Sequence, residues 1–152
     1  MAVFKCNGVD ALELTFDKMA NLSGDDLLRI IRPAAELLKT RLSEKVRAIF
    51  TQRSGSLANS FKLRERTWED GAGITVLPMG KHPKSSTGKR HGKRRSNGSY
   101  QGTNAEVAYI LEFGSPRIDA THFMQNTAEE SEQDIYDAMD AELTRILNER
   151  GL

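Results

Sequence analysis

The 152-residue sequence predicts a single α+β domain, a small curved antiparallel sheet of three to four strands packed against two long helices, with a long basic hairpin loop. Three observations predict it. Two stretches, about Asp25 to Phe50 and Thr121 to Arg150, carry apolar residues at helical spacing over many turns. Three shorter stretches between them alternate at period two, as strands do. One polar run, Gly80 to Gly102, has almost nothing to bury.

Taken in order, Val3 to Cys6 reads as an edge strand closed by Asn7-Gly8, and Val9, Leu12, Phe16 and Met19 as a short amphipathic helix. Ser23 is a suitable N-cap for the first long helix, with Asp25 and Asp26 placed for its dipole. Its stripe is Leu27, Ile31, Ala34, Ala35, Leu38, Leu42, Val46 and Ile49; Pro33 predicts a kink or break near Ile31-Arg32, with the longer helix starting at Pro33. Leu57 to Thr67 reads as a half-buried strand whose wet face carries Lys62, Arg64 and Arg66. Asp70-Gly71-Ala72-Gly73 is a turn signal, and Ile74 to Met79 is the hairpin partner. After the basic loop, Glu106 to Phe113 alternates Val107, Tyr109, Leu111 and Phe113 against Ala108 and Ile110, a central strand stopped by Gly114-Ser115-Pro116. The last helix has the stripe Met124, Ala128, Ile135, Met139, Leu143 and Ile146 and an acidic first half of Glu129, Glu130, Glu132 and Asp134.

The net charge of +1 hides an asymmetry. Lys81, Lys84, Lys89, Arg90, Lys93, Arg94 and Arg95 fall in one acid-free segment, while the remaining residues hold 15 Lys/Arg against 21 Asp/Glu. The chain is a basic arm on an acidic body. Cations without fixed spacing and with no interleaved aromatic suit phosphate backbones and not base reading. The reading expects no membrane span and no secretory signal, and the lone Cys6 forms no internal disulfide.

No motif for chemistry assembles. His82, His91 and His122 are scattered, without a cysteine pair or His-Glu-x-x-His, so no metal and no cofactor are expected. Gly88-Lys89 is followed by Arg90 where a phosphate loop needs Ser or Thr. There is no Gly-x-Ser-x-Gly elbow. Glu106 and Glu112 bracket a stretch that, as a strand, holds them about 20 Å apart. The expectation is that the chain is not an enzyme and has no catalytic residues.

Three stretches carry a resemblance. Ser54-Gly55-x-Leu57-x-x-Ser60, Ala108-x-x-x-Glu112-Phe113-Gly114-Ser115 and Ala120-x-x-Phe123-x-x-x-x-Ala128 follow one another in the order and spacing of the small tail-component family of long-tailed bacteriophages. This resemblance covers about Leu27 to Leu147. His122 and Thr127 stand where that family commonly has proline, Thr51 replaces a proline, and Val107 replaces an aromatic. The resemblance implies a structural virion protein of the neck or tail-completion type, made in the bacterial host cytoplasm. It implies a homo-oligomeric ring at the head–tail junction or tail end, with phage genomic DNA in the lumen and head–tail connector or tail-tube proteins as neighbours. On that expectation, Lys62, Arg64, Arg66, Glu112, Phe113, Gly114 and Ser115 lie at the subunit interface. The basic strand face would meet the acidic first turns of the last helix on the next copy, and Lys81, Lys84, Lys89, Arg90, Lys93, Arg94 and Arg95 would meet DNA by charge alone. The alternative is a monomeric, non-sequence-specific nucleic-acid-binding protein that uses the basic loop.

Overall fold

One long helix, α1 (Gly24–Ile49), is the platform on which the hairpin and the C-terminal helices pack. The computed structural model describes residues 22–50, 55–69, 71–82 and 102–151. The expected N-terminal strand and helix, and most of the basic loop, lie outside these residues. After α1 come β1 (Phe61–Trp68), β2 (Gly71–Pro78), α2 (Asn104–Phe113), α3 (Phe123–Glu130) and α4 (Glu132–Glu149). The fold is α+β.

α1 starts where the sequence places it. Ser23 Oγ accepts from the Asp26 amide at 3.2 Å, and the Asp26 carboxylate accepts from the Ser23 amide at 2.9 Å, a reciprocal cap. The expected break at Ile31-Arg32 does not occur: α1 runs without interruption from Gly24 to Ile49, with Pro33 inside it at an exposed position. One missing backbone bond is offset because α1 is packed by the hairpin on one side and by α4 on another. That double cover also widens the apolar stripe, so Leu28 and Ile30 are buried as well as Ala34, Ala35, Leu42 and Val46.

β1 and β2 form a two-stranded antiparallel ribbon running from Phe61↔Pro78 to Trp68↔Gly71. Gly71 and Gly73, expected in the turn, belong to β2. Period two sends Phe61, Leu63, Glu65 and Thr67 toward α1, where Glu65 pairs with Arg32 at 2.9 Å. Lys62, Arg64, Arg66 and Trp68 face away.

The described sheet has no third strand. Glu106 to Phe113, expected as the central strand, is helical because Thr103 and Glu106 form a second reciprocal cap. The described elements on either side of the basic segment are thus a strand and a helix, and the segment itself, expected as a hairpin loop, lies mostly outside the described residues. Its described ends meet, with Lys81 bridged to Thr103 and the His82 amide donating to Gly102 O at 2.8 Å. Lys84, Lys89, Arg90, Lys93, Arg94 and Arg95 lie outside the described residues.

The expected last helix is two helices, divided at Ser131, where ψ is 0°. α3 drives Phe123 fully into the core, edge-to-face on Phe50 at 5.5 Å. Around it pack Leu42, Val46, Leu57, Ala58, Phe61 and Ala108. α4 lies antiparallel along α1, its register marked by ion pairs of Arg29 with Glu149 and Arg41 with Asp134, and Lys45 of α1 pairs with Glu130 at the end of α3. Surface pairs of this kind contribute about 0–1 kcal/mol each and mark alignment more than stability.

Candidate functional site

The corner between α2 and α3 buries Ala108 and Glu112 one helical turn apart and exposes Tyr109, Ile110 and Phe113. His122, the residue preceding α3, has φ +47° and supplies no side-chain cap. A proline there, with φ held near −65°, would not fit this backbone. The cap comes instead from Glu112 on the previous helix, whose buried carboxylate accepts from the Met124 amide at 2.7 Å and the Gln125 amide at 3.1 Å. A negative charge at a helix N-terminus is favoured by the dipole as well as by the free amides.

Gly114 follows with φ +80° and ψ 179°, a conformation essentially confined to glycine. A Cβ on Gly114 would stand 2.9 Å from Ala120 N and 3.0 Å from Ile118 O. Ser115 and Ile118 exchange backbone bonds at 2.7 and 3.1 Å, closing a tight turn, and the Thr121 amide and hydroxyl both donate to Leu111 O. The corner is rigid because backbone bonds brace it on both sides.

Its outer surface exposes large apolar side chains beside the polar Ser115, Arg117 and Asp119. Tyr109 is 64% and Phe113 62% exposed, their rings 4.8 Å apart, and Ile110 and Ile118 are also exposed. Of the residues expected at a subunit contact, Phe113 and Ser115 are thus available, while Glu112 and Gly114 are consumed in building the corner.

Lys62, Arg64 and Arg66 form an exposed row on β1 and have no acidic partner among the described residues. α2 packs on β2 and α3 and meets β1 through the core cluster that holds Ala108 and Phe61, on the ribbon face opposite the row, so the structure does not join this row to the corner. The acidic turns expected to meet the row on another copy are largely engaged within the chain. Glu130 pairs with Lys45, Asp134 with Arg41, and Glu129 accepts from Gln125. Lys81 is exposed at the foot of the basic segment.

Two positions were not singled out in the sequence. Asn104 is buried and ties that foot together: it donates to Met79 O at 3.0 Å, accepts from Ser56 Oγ at 3.1 Å, and contacts His82 Nδ1 at 2.9 Å. No local signal marks it, since its partners come from two separate segments, the turn at Ser56 and the stretch after β2 with Met79 and His82. Trp68 is 58% exposed at the end of the cationic row. Its alternation with Lys62, Arg64 and Arg66 was the available signal.

An open groove of about 420 Å³ between α1 and α4 is lined by Ile30, Tyr136, Met139 and Leu143 with Asp137 and Asp140. Among the described residues no group of three or more His, Cys, Asp and Glu is placed to hold a metal, and no helix is long and apolar enough to cross a membrane. Compared with known family models, curated proteins and solved structures, the chain has no match.

Proposed function

We propose that this chain is a non-enzymatic structural protein of a tailed-phage virion, forming a ring at the head–tail junction or tail end through which DNA passes. The observation that carries the reading is the rigid corner with an exposed Tyr109–Phe113 pair, flanked by Ile110 and Ile118. Contiguous exposed aromatics on a braced element are characteristic of subunit contacts. The corner coincides with Ala108-x-x-x-Glu112-Phe113-Gly114-Ser115, one of the three stretches whose order and spacing resemble the phage tail-component family. The other resembling positions serve the same core, where Leu57, Ala108 and Phe123 pack together.

In this reading a heterologous contact repeats around a closed ring, with head–tail connector or tail-tube proteins above and below. The basic segment beginning at Lys81 would face the DNA and hold it by charge alone. Light scattering on the purified chain tests the proposal. A mass several times 17.0 kDa is expected, falling to that of one chain when Tyr109 and Phe113 are both replaced by serine. A wild-type monomer, or an oligomer indifferent to the double change, would refute it.

The second reading, a monomeric nucleic-acid-binding protein, is favoured by one observation: Lys62, Arg64 and Arg66 are exposed and without acidic partners among the described residues. A wild-type monomer that binds DNA tightly would replace the first reading with this one.

A further inference from the structure

The outer face of the β1–β2 ribbon is a surface of unusual composition. Its ladder residues are Lys62, Arg64, Arg66 and Trp68 on β1, opposite Leu77, Thr75, Gly73 and Gly71 on β2. No acid occurs among these eight; Glu65 is on the opposite face with Arg32, and Glu69 follows Trp68 beyond the ladder. Thr67 lies close against Gly24 at the start of α1, so the alternate residues must point to solvent. Three cations therefore stand in line about 6.6 Å apart, roughly the step between phosphates of an extended single strand.

Trp68 completes the row. A Cβ on Gly71 would stand 2.9 Å from its indole nitrogen, and one on Gly73 would stand 3.0 Å from its far ring edge. The indole thus lies across the bare backbone of both glycines, which any larger residue would displace. One ring face is covered by the strand; with the residue 58% exposed, the other is open. A contact to an acidic protein surface needs only the cations. A flat aromatic platform at the end of a phosphate-spaced row matches a nucleic-acid strand, in which bases stack on aromatic rings while the backbone follows a positive track.

We infer that this ribbon face binds single-stranded nucleic acid, with backbone phosphates on Lys62, Arg64 and Arg66 and a base stacked on Trp68. The inference does not depend on the ring reading, and it assigns the row to a ligand different from the neighbouring subunit expected from sequence.

The test uses the intact chain, in which Trp68 is the single tryptophan. Oligothymidylate is titrated while tryptophan emission and the anisotropy of a labelled oligonucleotide are followed together, with light scattering on the same samples. Saturation should quench Trp68. Replacing Lys62, Arg64 and Arg66 by serine should weaken binding and reduce the slope of log affinity against log salt by about 2. Trp68→Leu, which still covers the glycines, should weaken binding about 10-fold and leave most of the salt slope. Replacing Lys89, Arg90, Lys93, Arg94 and Arg95 by serine should leave the quench in place. Absence of binding, or binding without quench, would overturn the inference, as would a triple variant that binds as wild type does. A triple variant that dissociates an oligomer while binding oligothymidylate normally would show the row to be a subunit contact. A wild-type monomer that quenches would retain this inference and remove the ring.

Discussion

Replacing Glu112 separates a corner-building role from a surface role. Its carboxylate accepts two backbone amides, at 2.7 and 3.1 Å, at the N-terminus of a helix that has no cap of its own. Hydrogen bonds to charged groups contribute about 1.5–3 kcal/mol each, and a lost N-cap costs about 0.5–2 kcal/mol. These overlap, so Glu112→Ala should cost about 3 kcal/mol, while Glu112→Gln, keeping one acceptor oxygen, should cost about half as much. For a domain of this size the alanine change should lower Tm by about 6–12 °C. Urea unfolding should show a lower midpoint with an unchanged slope, and amide exchange at Met124 and Gln125 should accelerate before that of the core. A Glu112→Ala protein within about 0.5 kcal/mol of wild type, with those amides still protected, would refute the capping argument.

Gly114→Ala should be still more damaging, losing at least about 2–4 kcal/mol, because the backbone conformation and the contact with Ala120 N both exclude a Cβ; a normal unfolding midpoint would contradict this. Ser131→Ala should be neutral or stabilise by up to about 1 kcal/mol, since the Ser131 hydroxyl is fully buried and without a hydrogen-bond partner among the described residues; a loss above about 1 kcal/mol in urea would show that the hydroxyl has a partner. Asp26 is held at a pKa of about 2, chiefly by the Ser23 hydroxyl and backbone amide and then by Arg150. A depressed carboxylate stabilises the fold above its unfolded pKa near 4, and that contribution disappears as pH falls toward 2. Screened by solvent, it is about 1–2 kcal/mol. Asp26→Asn should flatten the fall in stability between those pH values, and an unchanged pH profile would rule the contribution out.

Much of the framework is legible locally. The Ser23 cap with Asp25 and Asp26 announces α1, and the alternation of Lys62, Arg64 and Arg66 places the outer face of β1. Glu106 to Phe113 misleads because both of its alternating faces are apolar, a pattern shared by a buried strand and a short helix. The deciding signal is upstream, in the Thr103-x-x-Glu106 spacing of a capping box. The break at Ser131 has no Gly or Pro to mark it. Glu112 could not be read as a cap because its target amides lie on the following helix, and positions such as Asn104 acquire meaning only when three segments meet.

Electron microscopy of the purified chain tests the central claim most directly. The account predicts closed rings of uniform diameter with a central opening wide enough for duplex DNA, lost when Tyr109 and Phe113 are both changed to serine. Single 17.0 kDa particles, or open filaments without closure, would contradict it.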